Sequence, residues 1–318
     1  MNFRFRSLTL TAVGLSVLAL STGCEVSKCK TDEGQDATCA ESLETTYGPH
    51  ETLEATYDVN MDLNVDGVKG EILVVPGTAG VVRVTFKPFT VRGHSKDADA
   101  QEDLEQGWIK DVRVEGNAVV VETFQNGESD EVGAAMEIEL PPEFNGAINI
   151  MNRSVGEVDQ GRVIINDVAS AHSVHVESLG LGLCDIDGAP SVTNTYVSCE
   201  GIVEVVNVSD NVTVFAEGTI LDDEPFGARV SFAGIAEGAT GGEIESQHGH
   251  VELNLPGDGH FQITAAANEE GEVLMNPAPD TCEASDNVVT CGNGDAIYIV
   301  SAGTADSLDP GNVHIDFH

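Results

Sequence analysis

From Tyr57 the chain alternates: Tyr57, Val59, Met61, Leu63 and Val65 are apolar, with Asp58, Asn60, Asp62, Asn64 and Asp66 between them. A period of two over ten residues predicts a β-strand with one face buried. The pattern returns at Met136, Ile138 and Leu140 against Glu137 and Glu139. It appears again at Val251, Leu253 and Leu255 against His250, Glu252 and Asn254, and it closes the chain at Val313, Ile315 and Phe317. Shorter apolar runs bounded by Gly, Asn, Asp or Ser predict further strands at 82–86, 112–114, 118–122, 161–165, 173–176, 202–206, 211–215 and 296–300. One segment, Asp97 to Gln106, reads as a helix of about three turns that ends at Gly107.

These elements predict an all-β body with one short helical insertion. A Rossmann or TIM arrangement would need a helical pattern after every strand. Sandwich, propeller and solenoid remain, and the drifting strand spacing suits an irregular β-solenoid better than a propeller of near-identical blades. Leu140-Pro141, the short strand Gly146–Ile150, the run from Glu243 to Pro256 and Phe261–Ile263 resemble the bacterial putative-adhesin β-solenoids of cell envelopes. The resemblance spans residues 51–318 and implies an irregular, right-handed β-helix-like stack with aliphatic side chains inward and acidic ones outward. A β-sandwich is the alternative fold.

The first residues are of another kind. Arg4 and Arg6 precede an uncharged run from Leu8 to Leu20, followed by Ser21-Thr22-Gly23-Cys24. That is the form of a secretory signal peptide, 1–23. Its apolar run spans about 20 Å as a helix, short of the roughly 30 Å hydrocarbon layer. Small residues before a cysteine resemble the lipobox of bacterial lipoproteins, although Leu20 stands four places before the cysteine where that motif has Leu three before. The resemblance implies lipidation of Cys24, an anchor of three acyl chains and, with Glu25 next, outer-membrane sorting. A secreted or periplasmic soluble protein is the alternative. Residues 24–50 then read as a polar tether pinned by a disulfide, and 51–318 as the acidic body.

Seven cysteines are an odd number for an exported chain, and assigning Cys24 to lipid leaves six. The near neighbours Cys29 and Cys39, Cys184 and Cys199, and Cys282 and Cys291 are the expected pairs, although sequence leaves the connectivity open. No C-x2-C spacing supports zinc.

Composition removes one class of partner. Fifty-four Asp and Glu face 14 Lys and Arg, a net −40 that becomes −42 once Arg4 and Arg6 leave with the signal peptide. After Glu115 the only cations are Arg153, Arg162 and Arg229, so a nucleic acid finds no basic surface. Such self-repulsion fits a saline setting or divalent cations at a cell surface.

Chemistry is sparse. Asp62, Asn64 and Asp66 begin like a calcium loop, but position twelve is Leu73 rather than a bidentate Glu, and the string lies on a strand. Asp185-Ile-Asp187-Gly188 reads as a turn. His248, His250 and His260 are the remaining metal candidates, whereas His172 and His175 are spaced to opposite strand faces. Nucleophile-elbow and phosphate-loop motifs are absent. Paired carboxylates of a glycan hydrolase could hide among 54 acids, but the aromatics fall mostly at inward parity, which leaves little platform for a sugar. The expectation is a lipid-anchored envelope protein with a non-catalytic structural or adhesive module and no cofactor. Its partners would be the membrane and a surface glycan or envelope protein. A carbohydrate-active β-helix enzyme and a binding subunit for another envelope protein are the alternatives.

Overall fold

The structure, a computed structural model, describes residues 45–91, 98–126, 132–153, 161–168, 171–180, 182–187, 192–221, 224–269, 271–285, 287–303 and 311–318. The signal peptide, Cys24, Cys29, Cys39, most of the tether and the start of the helix at Asp97 lie outside the described residues.

The chain begins with β1 (Thr46–Tyr47), β2 (Glu51–Thr56), β3 (Asp62–Gly67), β4 (Ile72–Pro76) and β5 (Val81–Thr90). Helix α1 (Ala98–Gln106) then leads into β6 (Trp108–Glu115), β7 (Ala118–Gln125) and β8 (Val132–Leu140). The middle holds β9 (Ala147–Asn152), β10 (Val163–Asn166), β11 (Ser173–Ser178), β12 (Leu183–Asp187), β13 (Asn194–Cys199), β14 (Ile202–Ser209) and β15 (Asn211–Ala216). It continues through β16 (Thr219–Leu221), β17 (Glu224–Gly234), β18 (Gly241–Ser246) and β19 (His250–Leu255). The last segment carries β20 (Phe261–Ala267), β21 (Val273–Met275), β22 (Cys282–Ser285), β23 (Val288–Cys291), β24 (Ala296–Ala302) and β25 (Val313–Phe317).

These strands form two large mixed sheets. The first runs β1-β5-β8-β4-β10-β12-β14-β17-β19-β25-β21, with β2 and β16 attached to β5 and β17. The second runs β22-β23-β20-β24-β18-β15-β13-β11-β9-β3-β7-β6. From β9 to β15, and again through β17, β18 and β19, successive strands fall in opposite sheets and pair in parallel with the strand one circuit earlier. Each circuit thus lays one rung on the last. The layers are those of the sandwich alternative; the connectivity is that of a wound stack.

Alternation makes the core. On the first sheet Ile72, Val163, Cys184, Val203, Ala228, Val251 and Val313 stand in one register row, each buried. On the second, Val65, Ile150, Val176, Val197, Val214, Ile244 and Val300 do the same. Each such side chain contributes about 1.5–3 kcal/mol when withdrawn from water, so the rows hold the sheets together. One member of a neighbouring row is polar: Thr195, buried between Val174 and Val212, has no hydrogen-bond partner for its hydroxyl among the described residues.

Two sequence expectations need correcting. Leu183–Asp187 is a strand rather than a turn, because Cys184 and Ile186 fill places in the inward rows that the acidic residues between them obscure. Val59 is 58 % exposed. The chain turns at Asp58–Asn60, where Asn60 has φ 67° and the Met61 amide donates to the Asp58 carbonyl, so the strand starts only at Asp62. Ahead of residue 51, β1 pairs antiparallel with β5.

Both ends depart from simple winding. Near the N-terminus, β3 lies between β7 and β9, and β4 between β8 and β10. Near the C-terminus, β24 lies between β18 and β20, and β25 between β19 and β21. In each case an outer rung is placed one step away and a strand pair distant in sequence occupies the gap. Gly241 serves the second insertion: it adopts φ +90°, and a Cβ there would collide with the Ile297 carbonyl of β24.

Additional elements flank the stack at both ends, where exposed strand edges would invite pairing with other chains. Helix α1 packs at the N-terminal end, where Trp108 Nε1 donates to the Leu104 carbonyl at 3.0 Å and the indole meets Phe86 at 5.8 Å. At the other end the antiparallel pair β22–β23 is joined by a disulfide between Cys282 and Cys291, directly opposite in register. No helix among the described residues is long and apolar enough to cross a membrane.

Candidate functional site

The two outer faces differ. On the first sheet the outward row Asp185, Glu204, Arg229, Glu252 and His314 is ionic. Arg229 bridges Glu204 at 3.1 Å and Glu252 at 2.7 Å. Burial raises the Asp185 carboxyl above its usual range, helped by Glu204 and Asp187. Every long side chain in this row thus has a charged neighbour one strand away.

On the second sheet the outward row carries amides and rings. In order it reads Asn64 on β3, Asn149 on β9, His175 on β11, Tyr196 on β13 and Thr213 on β15, with Phe215 two residues further along β15. In-register parallel strands place like groups about 4.8 Å apart, the spacing at which amides and rings stack. Asn149 Nδ2 donates to Asn64 Oδ1 at 2.9 Å. His175 and Tyr196 stack at 4.4 Å with planes 16° apart, and Tyr196 meets the edge of Phe215 at 6.1 Å. His175 Nε2 lies 2.9 Å from Glu177 Oε1. A carboxylate can only accept, so Nε2 carries the proton and donates.

Two depressions flank the rings. One, of about 220 Å³, lies between Val120 and His175, with Asn64, Asn149, Met151 and Glu177 around it. The other, of about 380 Å³, lies beyond Glu177 and is bordered by Ser198, Glu200, Phe215, Glu217 and Glu245. Two carboxylates of the first depression meet arginines: Arg153 holds Asp66 through two bonds of 2.8 and 2.9 Å, and Arg113 holds Glu122 together with Asp111 and Glu115.

The sequence candidates are placed as follows. Asp62, Asn64 and Asp66 share the outward face of β3, and each is engaged across a strand boundary: Asp62 accepts from the Ala147 amide, Asn64 from Asn149 and Asp66 from Arg153. His248 occupies a turn and its carbonyl accepts from Ser246. His250 accepts from the Asn312 amide and faces His314 at 5.9 Å on the first sheet, while His260 meets Asn293 next to the second. The structure does not bring the three together, and among the described residues no three His, Cys, Asp or Glu side chains converge as a metal site. His172, ahead of β11, bonds the Asn145 carbonyl. Cys184 and Cys199 are buried thiols from facing sheets, in contact with each other; burial pushes the Cys184 thiol up.

The outward rings were missed from sequence, where aromatics were expected mainly inside. The signal existed in strand parity. Val212 and Val214 fix the inward positions of β15, so Phe215 must point out, and Val197 does the same for Tyr196.

No family model matches the chain, and no curated protein matches it. Solved structures that align with it include a putative cell adhesion protein from Clostridium sporogenes, 11% identical, with 85% of this chain and 100% of that one covered and a TM-score of 0.34. A putative adhesin from Bacteroides fragilis is 12% identical over 84% of this chain and 97% of its own, with a TM-score of 0.30. A putative adhesin from Parabacteroides merdae is 11% identical over 84% and 96%, with a TM-score of 0.23.

Proposed function

We propose that this protein is a non-catalytic adhesive module of a bacterial cell envelope, a β-solenoid held to the outer membrane by lipid at Cys24, which makes contact through the outer face of its second sheet. The observation that carries the reading is the asymmetry of the two faces. The outward row of the first sheet is ionic and centred on Arg229 between Glu204 and Glu252, whereas His175, Tyr196 and Phe215 present ring surface across three successive strands with a depression on either side. Aromatic side chains on a rigid sheet supply contact area at low entropic cost, which suits recognition without chemistry.

The anchor rests on the lipobox resemblance. Its test is fractionation: Cys24→Ala should move the protein from membrane to soluble fraction, and retention in the membrane defeats the anchor. The contact face is tested by binding of purified protein to isolated cell envelopes. Tyr196→Ala combined with Phe215→Ala should reduce capture by about tenfold, equivalent to about 1.4 kcal/mol, while Arg229→Ala on the opposite face should leave it unchanged. In an oxidising compartment Cys184 and Cys199 would join as a disulfide, a reading supported by the contact of their sulfurs in the core.

A further inference from the structure

We infer that the depression between Val120 and His175 is a subsite for one pyranose ring of a neutral or amino-substituted glycan. This rests on the adhesive reading above and gives its occupant a chemical class.

The argument begins with the amide pair. Asn149 gives its Nδ2 to Asn64 Oδ1, which leaves the Asn64 Nδ2 donor and the Asn149 Oδ1 acceptor without partners among the described residues. One donor and one acceptor on neighbouring rungs match adjacent hydroxyls, or an acetamido group, each of which both gives and takes a hydrogen bond. Next comes the ring. One face of the His175 imidazole is covered by Tyr196 and the other borders the depression. Nε2–H is committed to Glu177, so Nδ1 is the ring nitrogen left for a further hydroxyl, which can both give and take a hydrogen bond. Val120 and Met151 supply apolar surface for the C–H face of a sugar. Polar groups of both senses around an apolar wall are what a polyhydroxylated ring requires, and a purely apolar or purely ionic ligand would leave one set unsatisfied.

Size and charge narrow the class. A volume of about 220 Å³ is below the roughly 300 Å³ at which pockets for drug-sized ligands begin, so one ring enters and the rest of a glycan lies along the face. Asp66 is paired with Arg153, Glu122 shares Arg113 with Asp111 and Glu115, and Glu177 meets only His175, so carboxylates outnumber cations around the depression. With the whole chain at −40, a uronate or phosphorylated polymer is repelled and an amine is drawn in.

The test is calorimetric titration of the full chain with cellotriose, tri-N-acetylchitotriose, chitotriose and trigalacturonate. Saturable binding of at least one of the first three is expected, weakened about tenfold by His175→Ala and by Asn149→Ala, with no binding of trigalacturonate. Circular dichroism and melting confirm that the variants fold, and Asn149→Ala leaves the ring stack in place should His175→Ala disturb it. No saturable binding of the first three sugars, equal binding by both variants, or preference for trigalacturonate overturns the inference. Envelope capture separates the two readings. If envelopes still bind through Tyr196 and Phe215 while no sugar does, the subsite falls and the contact face stands. If capture ignores both rings while a sugar still binds at His175 and Asn149, the contact face falls and the subsite stands.

Discussion

At the N-terminal end of the stack Trp108 seats a helix over the last strands, and cations lace the outer surface. Arg83 meets Glu54 at 2.9 Å and Glu139 at 3.2 Å, Lys87 meets Glu137 at 2.7 Å, and Lys110 meets Glu51 at 2.6 Å. At the C-terminal end no Lys or Arg follows Arg229, and closure comes from the hairpin joined through Cys282 and Cys291. Both ends hold an inserted strand pair and both must cover an outer rung. Where opposite charges are available, packing and ion pairs do this; where only carboxylates remain, a covalent bond replaces them.

Removing residues 296–318 should have the largest effect. It takes out β24 and β25, opening four strand edges inside the sheets, and the product should aggregate. A soluble, cooperatively melting truncation would show the outer rung closing onto β18 and β19 unaided. Trp108→Ala follows, at about 3–5 kcal/mol, because it empties a buried site shared by helix and sheet. Denaturant unfolding measures it, and a cost below about 1 kcal/mol would mean that the helix does not secure its end. Replacing Cys282 and Cys291 together by Ser should cost about 2–3 kcal/mol. In wild type the same loss should appear on reduction, and it should add to that of Trp108→Ala because the sites are at opposite ends.

Thr195→Val, in the middle of the stack, is expected to stabilise by about 1 kcal/mol, since it removes a buried hydroxyl without a partner and keeps its shape. Equal or lower stability would place an unseen partner there. The smallest effect is ionic. Raising NaCl to 1 M, where the Debye length is about 3 Å, should slow amide exchange more in strands after Arg229 than in β5 to β8. Uniform change would mean that uncompensated charge does not distinguish the ends.

Much of the stack was legible. Met136, Ile138 and Leu140, and Val251, Leu253 and Leu255, alternate cleanly and are buried as expected. Alternation reports which side of a strand faces inward, and parity therefore also contained the outward rings. It does not report neighbours. Rows built almost wholly of Val and Ile make the rungs interchangeable by composition, so nothing local in Ala296–Ala302 assigns it a place between β18 and β20. Nor could the depression be read, because Val120, Asn149 and His175 lie on strands whose adjacency depends on β3 having been inserted beside β9.

The placement of β24 and β25 also orders events in time. A chain emerging from the ribosome N-terminus first presents β20 and β21 before the segment that must lie beneath them exists. The rungs up to β19 can form in sequence, but the far end must wait, open or disordered, until residue 317 is available. The last rungs therefore form out of chain order, and any factor that shields a nascent chain has a defined interval in which to act.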